Sequence, residues 1–127
     1  EMAKWALENS LGGEIFVPKL KSYKIMDLAE AIGPSCKKEF IGIRPGEKIH
    51  EKMISQADSQ STISLKNYYA ILPSDGELEK KYKKLKIEFT KEIKGFSYSS
   101  GNNRSFLNVM EIRKLIEEYI DPKFVPI

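Results

Sequence analysis

Phe40-Ile41-Gly42-Ile43-Arg44-Pro45-Gly46-Glu47-Lys48-Ile49-His50-Glu51 is the stretch from which the fold is read. Its apolar run stops at a charged Pro-Gly turn and restarts as a short amphipathic segment. An apolar stretch bounded by Pro-Gly reads as a buried strand over 38–43, and Ile49 and Met53, four apart, lie on one helical face. The expectation is strand, turn and helix start, with an arginine at the junction. A helix start offers unpaired N–H groups and the positive end of its dipole. Arg44 beside it would make a compact anion site suited to a phosphate. The same residues also fit a solvated connection in which Arg44 pairs with a carboxylate, and spacing alone does not separate the two.

Outward from this turn the pattern alternates helix and strand. Upstream, Met2, Ala3, Ala6 and Leu7 share a helical face, closed by Gly12-Gly13. The helical pattern starts without a cap, as if residues preceded it. Glu14-Ile15-Phe16-Val17-Pro18 reads as a strand. Ile25, Leu28, Ala29 and Ile32, with Ser22 as a cap and Gly33-Pro34 as a stop, read as a helix. Downstream, the polar run 55–62 reads as an exposed, mobile loop and 66–72 as a strand closed by Pro73-Ser74-Asp75-Gly76. Leu85, Ile87 and Phe89 alternate with charged residues as a half-buried strand would. Residues 95–104 read as loop. Asn108 with Glu111 forms a capping box ahead of a broad apolar stripe, Val109 to Ile120, that Asp121-Pro122 ends, and the tail 123–127 is frayed or docked. The fold class is α/β: a small mixed sheet with flanking helices in one domain or fragment spanning 1–127.

Composition narrows the function classes. With 21 basic and 18 acidic residues, and acids interleaved with the lysines of 80–94, the charge is too balanced for a nucleic-acid footprint. No apolar run is long enough to span a membrane, and no signal-peptide pattern opens the chain. One cysteine excludes an internal disulfide and a cysteine-rich zinc site, so a cytoplasmic setting fits, with Cys36 as a packing residue. His50-Glu51 lacks a second histidine four residues on, which leaves His50 a structural or supporting role. No Gly-x-Gly-x-x-Gly, Walker loop or nucleophile elbow occurs. Tyr82/Lys86 and Tyr119/Lys123 match a Tyr-x-x-x-Lys spacing, but the first lies in a lysine run and Pro122 interrupts the second, so both are read as chance.

Three ordered blocks carry a resemblance: Gly13-Glu14-Ile15-Phe16-Val17-Pro18-Lys19, Lys24-Ile25-Met26-Asp27-Leu28-Ala29-Glu30-Ala31 and Ile41 to Glu51. They resemble consecutive blocks of the inverting UDP-N-acetylglucosamine 4,6-dehydratases, extended short-chain dehydrogenase/reductases of polysaccharide and pseudaminic-acid-type biosynthesis. Phe96-Ser97-Tyr98-Ser99-Ser100-Gly101-Asn102-Asn103 and the closing helix resemble that family's C-terminal end. The resemblance implies the C-terminal, substrate-binding part of such a lyase, lacking the Rossmann core that binds NADP and carries the catalytic Lys and Tyr. It implies C4 oxidation, loss of water across C5 and C6, and reduction with inversion at C5 in the full enzyme, with this chain alone inactive. It maps nucleotide-sugar binding onto Arg44, Pro45, Gly46 and Glu47, with UDP-N-acetylglucosamine or a related UDP-sugar as ligand. It assigns no catalytic, cofactor or metal residue here. Leu20-Lys21-Ser22-Tyr23 departs from the Pro-Ser-Met type stretch of relatives. Strands taken from a larger structure leave apolar surface that makes a homo-oligomer the expectation. The alternative is a stand-alone protein-interaction module using Tyr68-Tyr69 or the C-terminal surface.

Overall fold

A computed structural model describes residues 2–127. The elements in chain order are α1 (Met2–Asn9), β1 (Ile15–Pro18), α2 (Ile25–Ile32), β2 (Lys52–Ile54), a 3-10 turn (Ala57–Ser61), β3 (Thr62–Ser64), β4 (Tyr68–Ile71), α3 (Glu77–Lys84), β5 (Thr90–Lys91), β6 (Tyr98–Ser99) and α4 (Val109–Tyr119). They form two compact units, one comprising the residues up to Lys19 with Lys52–Ser99, the other Leu20–Glu51 with Ser100–Ile127.

In the first unit β1, β4, β3 and β5 form an antiparallel sheet in that order. A tight connection joins β3 to β4, closed by the Leu65 N–H on the Tyr68 carbonyl at 2.8 Å. Ile63 and Ala70 of the sheet, with Leu72 just beyond β4, bury against Leu78 and Tyr82, which lie four apart on one face of α3. The Tyr82 hydroxyl sits 3.3 Å from Glu14 Oε1, and burial first, then the Glu14 charge, holds its pKa well above the usual tyrosine value. Trp5 of α1 stacks on Tyr68 at 4.2 Å and meets Phe16 edge-on at 5.0 Å. Tyr69 lies 5.2 Å from both Phe96 and Tyr98, with the Lys19 ammonium 4.8 Å from its ring. Tyr68 and Tyr69 are therefore packed inside the unit and do not form a free aromatic patch. A separate ladder pairs β2 with β6.

Within the 95–104 stretch read as loop, Tyr98–Ser99 is instead the strand β6, and two further expectations change in this unit. Residues 85–89 are not a strand: α3 continues to Lys84, Lys86 takes φ 56°, and Ile87 and Phe89 reach the core from irregular backbone. Leu85, the third member of the alternation, is exposed. The polar run 55–62 folds inward as a 3-10 turn and the start of β3. There the Ser55 N–H and hydroxyl both donate to Asp58, while Ser59, buried, donates to the Gln56 carbonyl and accepts from the Gly95 N–H. Internal hydrogen bonds thus satisfy groups that an exposed loop would leave to water.

In the second unit α2 packs on α4, with Ala31 and Ile112 buried. Asn108 Oδ1 accepts from the Glu111 N–H at 3.0 Å and Glu111 Oε2 accepts from the Asn108 N–H at 2.9 Å, the capping box expected at this helix start. Arg113 of α4 donates through Nε to the Ala31 carbonyl (3.0 Å) and through Nη2 to that of Glu30 (3.1 Å), which satisfies carbonyls at the C-terminal end of α2. Ser22 does not cap α2. Its backbone pairs with 105–107 and its hydroxyl accepts from Asn103, while Lys24 precedes the helix with no side-chain cap. The tail is docked: the Ile127 N–H donates to the Ile32 carbonyl at 2.9 Å. Cys36 is exposed, which corrects its reading as a packing residue. No helix is long and apolar enough to cross a membrane among the described residues.

Candidate functional site

The segment from Lys38 to Glu51 belongs to the second unit and contains no regular element. The strand expected over 38–43 is absent. Gly42 takes φ 80°, outside the range of a strand, and Phe40 (81%), Ile41 (81%) and Ile43 (62%) remain largely exposed instead of covering a core. No helix follows the turn either. Residues 48–51 are irregular, Ile49 is exposed, and Met53 belongs to β2. The dipole of a helix start therefore contributes nothing to this site.

The turn itself forms and closes on itself. The Glu47 N–H donates to the Arg44 carbonyl at 3.0 Å, with Pro45 and Gly46 at the two central positions and Gly46 at φ 87°. This is type II chemistry, in which proline presets the second residue and glycine supplies positive φ at the third. Glu47 then reaches back with both oxygens: Oε2 accepts from the Arg44 N–H at 2.9 Å and Oε1 from Arg44 Nε at 2.8 Å. The Arg44 side chain stays 77% exposed and that of Glu47 45%. One edge of the guanidinium is thus committed to Glu47, and its terminal amino groups remain open to solvent. A planar fork held this way suits a phosphate or carboxylate.

The segment is tied at both ends. Lys38 Nζ meets Glu30 Oε2 of α2 at 2.7 Å. At the far end the Ser100 N–H donates to the Glu51 carbonyl (2.9 Å), and the Glu51 N–H donates to Ser100 Oγ (3.1 Å). Ser100 Oγ lies 3.4 Å from His50 Nδ1, and the imidazole lies close against Gly101. Sequence reasoning gave His50 a supporting role but missed Ser100 and Gly101. Their partners are about fifty positions away, and no local periodicity marks them.

Neither Tyr-x-x-x-Lys pair forms a catalytic dyad on one helical face. Of the two Tyr-x-x-x-Lys pairs, Tyr82 has its hydroxyl against Glu14 in the core, and Tyr119 ends α4 before Lys123. Among the described residues no group of His, Cys, Asp or Glu could hold a metal ion.

A family model described as polysaccharide biosynthesis protein matches residues 1–73, a span that includes the turn. The UDP-N-acetylglucosamine 4,6-dehydratases (inverting) of two Campylobacter jejuni strains are 45% identical over 113 residues, 86% of this chain and 34% of theirs. A UDP-glucose 4-epimerase of Rickettsia akari is 33% identical over 120 residues, 91% of this chain and 35% of its own length. The chain thus spans about a third of the length of these curated relatives. The crystal structure of Pen from Bacillus thuringiensis superposes with a TM-score of 0.68 at 24% identity, covering 91% of this chain and 34% of that one, which shows a shared fold.

Proposed function

The chain belongs to the polysaccharide biosynthesis protein family, and from that premise we propose that it is the UDP-sugar-binding portion of a 4,6-dehydratase acting on UDP-N-acetylglucosamine. The observation that carries this reading is the 45% identity to inverting dehydratases, against 33% to an epimerase whose name shares only the UDP-hexose. In this reading Arg44 grips the diphosphate with its open amino groups, and Pro45 and Gly46 fix the turn. Glu47 accepts sugar or ribose hydroxyls with the lone pairs that Arg44 leaves unused, since a carboxylate offers about four acceptor sites. Because Glu47 already holds the guanidinium, the fork loses little freedom when a ligand arrives.

The dehydration itself, a lyase reaction by C4 oxidation, water loss and C5-inverting reduction, belongs to the longer enzyme in bacterial polysaccharide or nonulosonate biosynthesis. NADP is its proposed cofactor, held by the Rossmann part of the longer enzyme, and the 127 residues alone are inactive. An exposed free thiol at Cys36 agrees with a reducing, cytoplasmic setting. The exposed apolar residues Phe40, Ile41 and Ile43 support burial against further protein, as in a homo-oligomer.

Titrating the isotopically labelled chain with UDP and with UDP-N-acetylglucosamine tests the binding role. Amide shifts centred on Arg44 to Glu47 are expected, and a flat titration at millimolar ligand refutes it. Incubation with UDP-N-acetylglucosamine and NADP should give no 4-keto product, and its appearance would overturn the inactivity.

A further inference from the structure

We propose that His50, an exposed residue whose imidazole lies against Gly101, is the positioning residue of the Arg44 turn; this rests on the reading of that turn as the UDP site. A Cβ placed on Gly101 would lie 2.8 Å from both Cγ and Cδ2 of His50 and 3.2 Å from Nδ1. Real side chains do not sit that close, so residue 101 can gain no side chain while the imidazole keeps its place. Gly101 is not among the glycines at positive φ, so backbone conformation does not demand glycine here; the imidazole does.

The contact belongs to a clasp. Ser100 exchanges two hydrogen bonds with Glu51, through its N–H to the Glu51 carbonyl and through its hydroxyl from the Glu51 N–H, and the same hydroxyl faces His50 Nδ1. The hydrogen bonds of the turn run from Arg44 to Glu47 and close within the turn itself. Its placement on the unit therefore comes through the chain on either side. On one side stands the Lys38–Glu30 ion pair, six residues before Arg44 and partly solvated. On the other, only Lys48 and Ile49 separate Glu47 from His50, a reach of about 10 Å even if fully extended. A shift of the imidazole is passed to the turn within that short span. Gly101 fixes where His50 sits, and His50 fixes where Arg44 presents its fork.

The test uses His50→Ala, Gly101→Ala and the double variant of the 127-residue chain, with UDP as the probe. Each single variant is expected to weaken UDP binding about tenfold, as loss of pre-organised placement does, with little change in Tm. The double variant should bind no worse than His50→Ala, because the methyl group added at position 101 has nothing to strike once the ring is gone. His50→Ala adds no atoms, so it reports even if Gly101→Ala folds poorly. An unchanged UDP affinity in His50→Ala overturns the proposal, and additive losses in the double variant overturn the contact as its mechanism. Ligand-free amide shifts of Arg44 and Glu47 separate this from the parent reading. If the unmodified chain ignores UDP, the binding reading fails. Movement of those two amides in Gly101→Ala still upholds the positioning, and their constancy refutes it.

Discussion

Replacing Arg44 separates what the turn does for the fold from what it does for a ligand. Both side chains of the Arg44–Glu47 pair are well exposed, at 77% and 45%. An exposed ion pair contributes roughly 0.2–1 kcal/mol, so Arg44→Ala should lower Tm by less than about 5 °C. The turn keeps its Glu47 N–H to Arg44 carbonyl bond, which needs no side chain. Ligand binding should respond more strongly. Nε is already engaged by Glu47 at 2.8 Å, so a diphosphate would meet the terminal amino groups. Hydrogen bonds to a charged group contribute about 1.5–3 kcal/mol, which corresponds to roughly a 10- to 150-fold weaker Kd for UDP in Arg44→Ala. Arg44→Lys keeps the charge without the planar fork, and its loss should fall between the two. Calorimetric titration with UDP and uridine, beside thermal melts, makes the measurement. Uridine, which lacks the diphosphate, should bind parent and variant alike. A UDP affinity unchanged in Arg44→Ala refutes the assignment. An equal loss for UDP and uridine refutes the phosphate contact and points to a displaced turn.

Other consequences follow from the two units. Ile63→Ala removes a side chain only 1% exposed that packs with Leu78 and Tyr82, and should destabilise the first unit by about 2–5 kcal/mol, read from denaturant melts. Arg113→Met keeps the apolar stem but frees the carbonyls of Glu30 and Ala31; a loss of about 1–3 kcal/mol is expected, with faster amide exchange at Gly33. Glu111 has its pKa lowered, first by the hydrogen bond from Lys21 and then by the Asn108 N–H. Its contribution to stability is therefore complete above the ordinary carboxylate value of about 4.3 and is lost as pH falls through the lower folded value. Lys21→Met should move the Glu111 titration upward, as followed by carboxyl carbon shifts.

The sequence was legible where a few neighbouring residues decide the structure, and illegible where distant ones do. The box of Asn108 and Glu111 is closed by side chains three residues apart, and the pattern Ile25, Leu28, Ala29, Ile32 needs only its own helix, so both could be read directly. The turn at 44–47 belongs with them, since proline, glycine and an Arg–Glu pair at i, i+3 specify it locally. By contrast, α3 offers only Leu78 and Tyr82 as apolar residues in eight. Its support comes from Glu77–Lys80 and Glu79–Lys83 pairs, and from acids in the first turn with lysines in the last. Such a segment looks like a solvated charge run until a sheet is found under its two apolar residues. The strand expected at 38–43 failed for the opposite reason. Its residues are apolar, but burial requires a partner as well as a composition, and Gly42 turns the backbone away from extension. Phe40, Ile41 and Ile43 consequently stand in solvent beside Arg44. An apolar run that neither pairs nor packs within its own unit cannot be explained by the stability of that unit. Under the proposed function it flanks the fork that takes the diphosphate. Locally, then, the chain specifies how the turn is made, and the clasp at His50 and Gly101, about fifty residues apart, specifies where the turn is held.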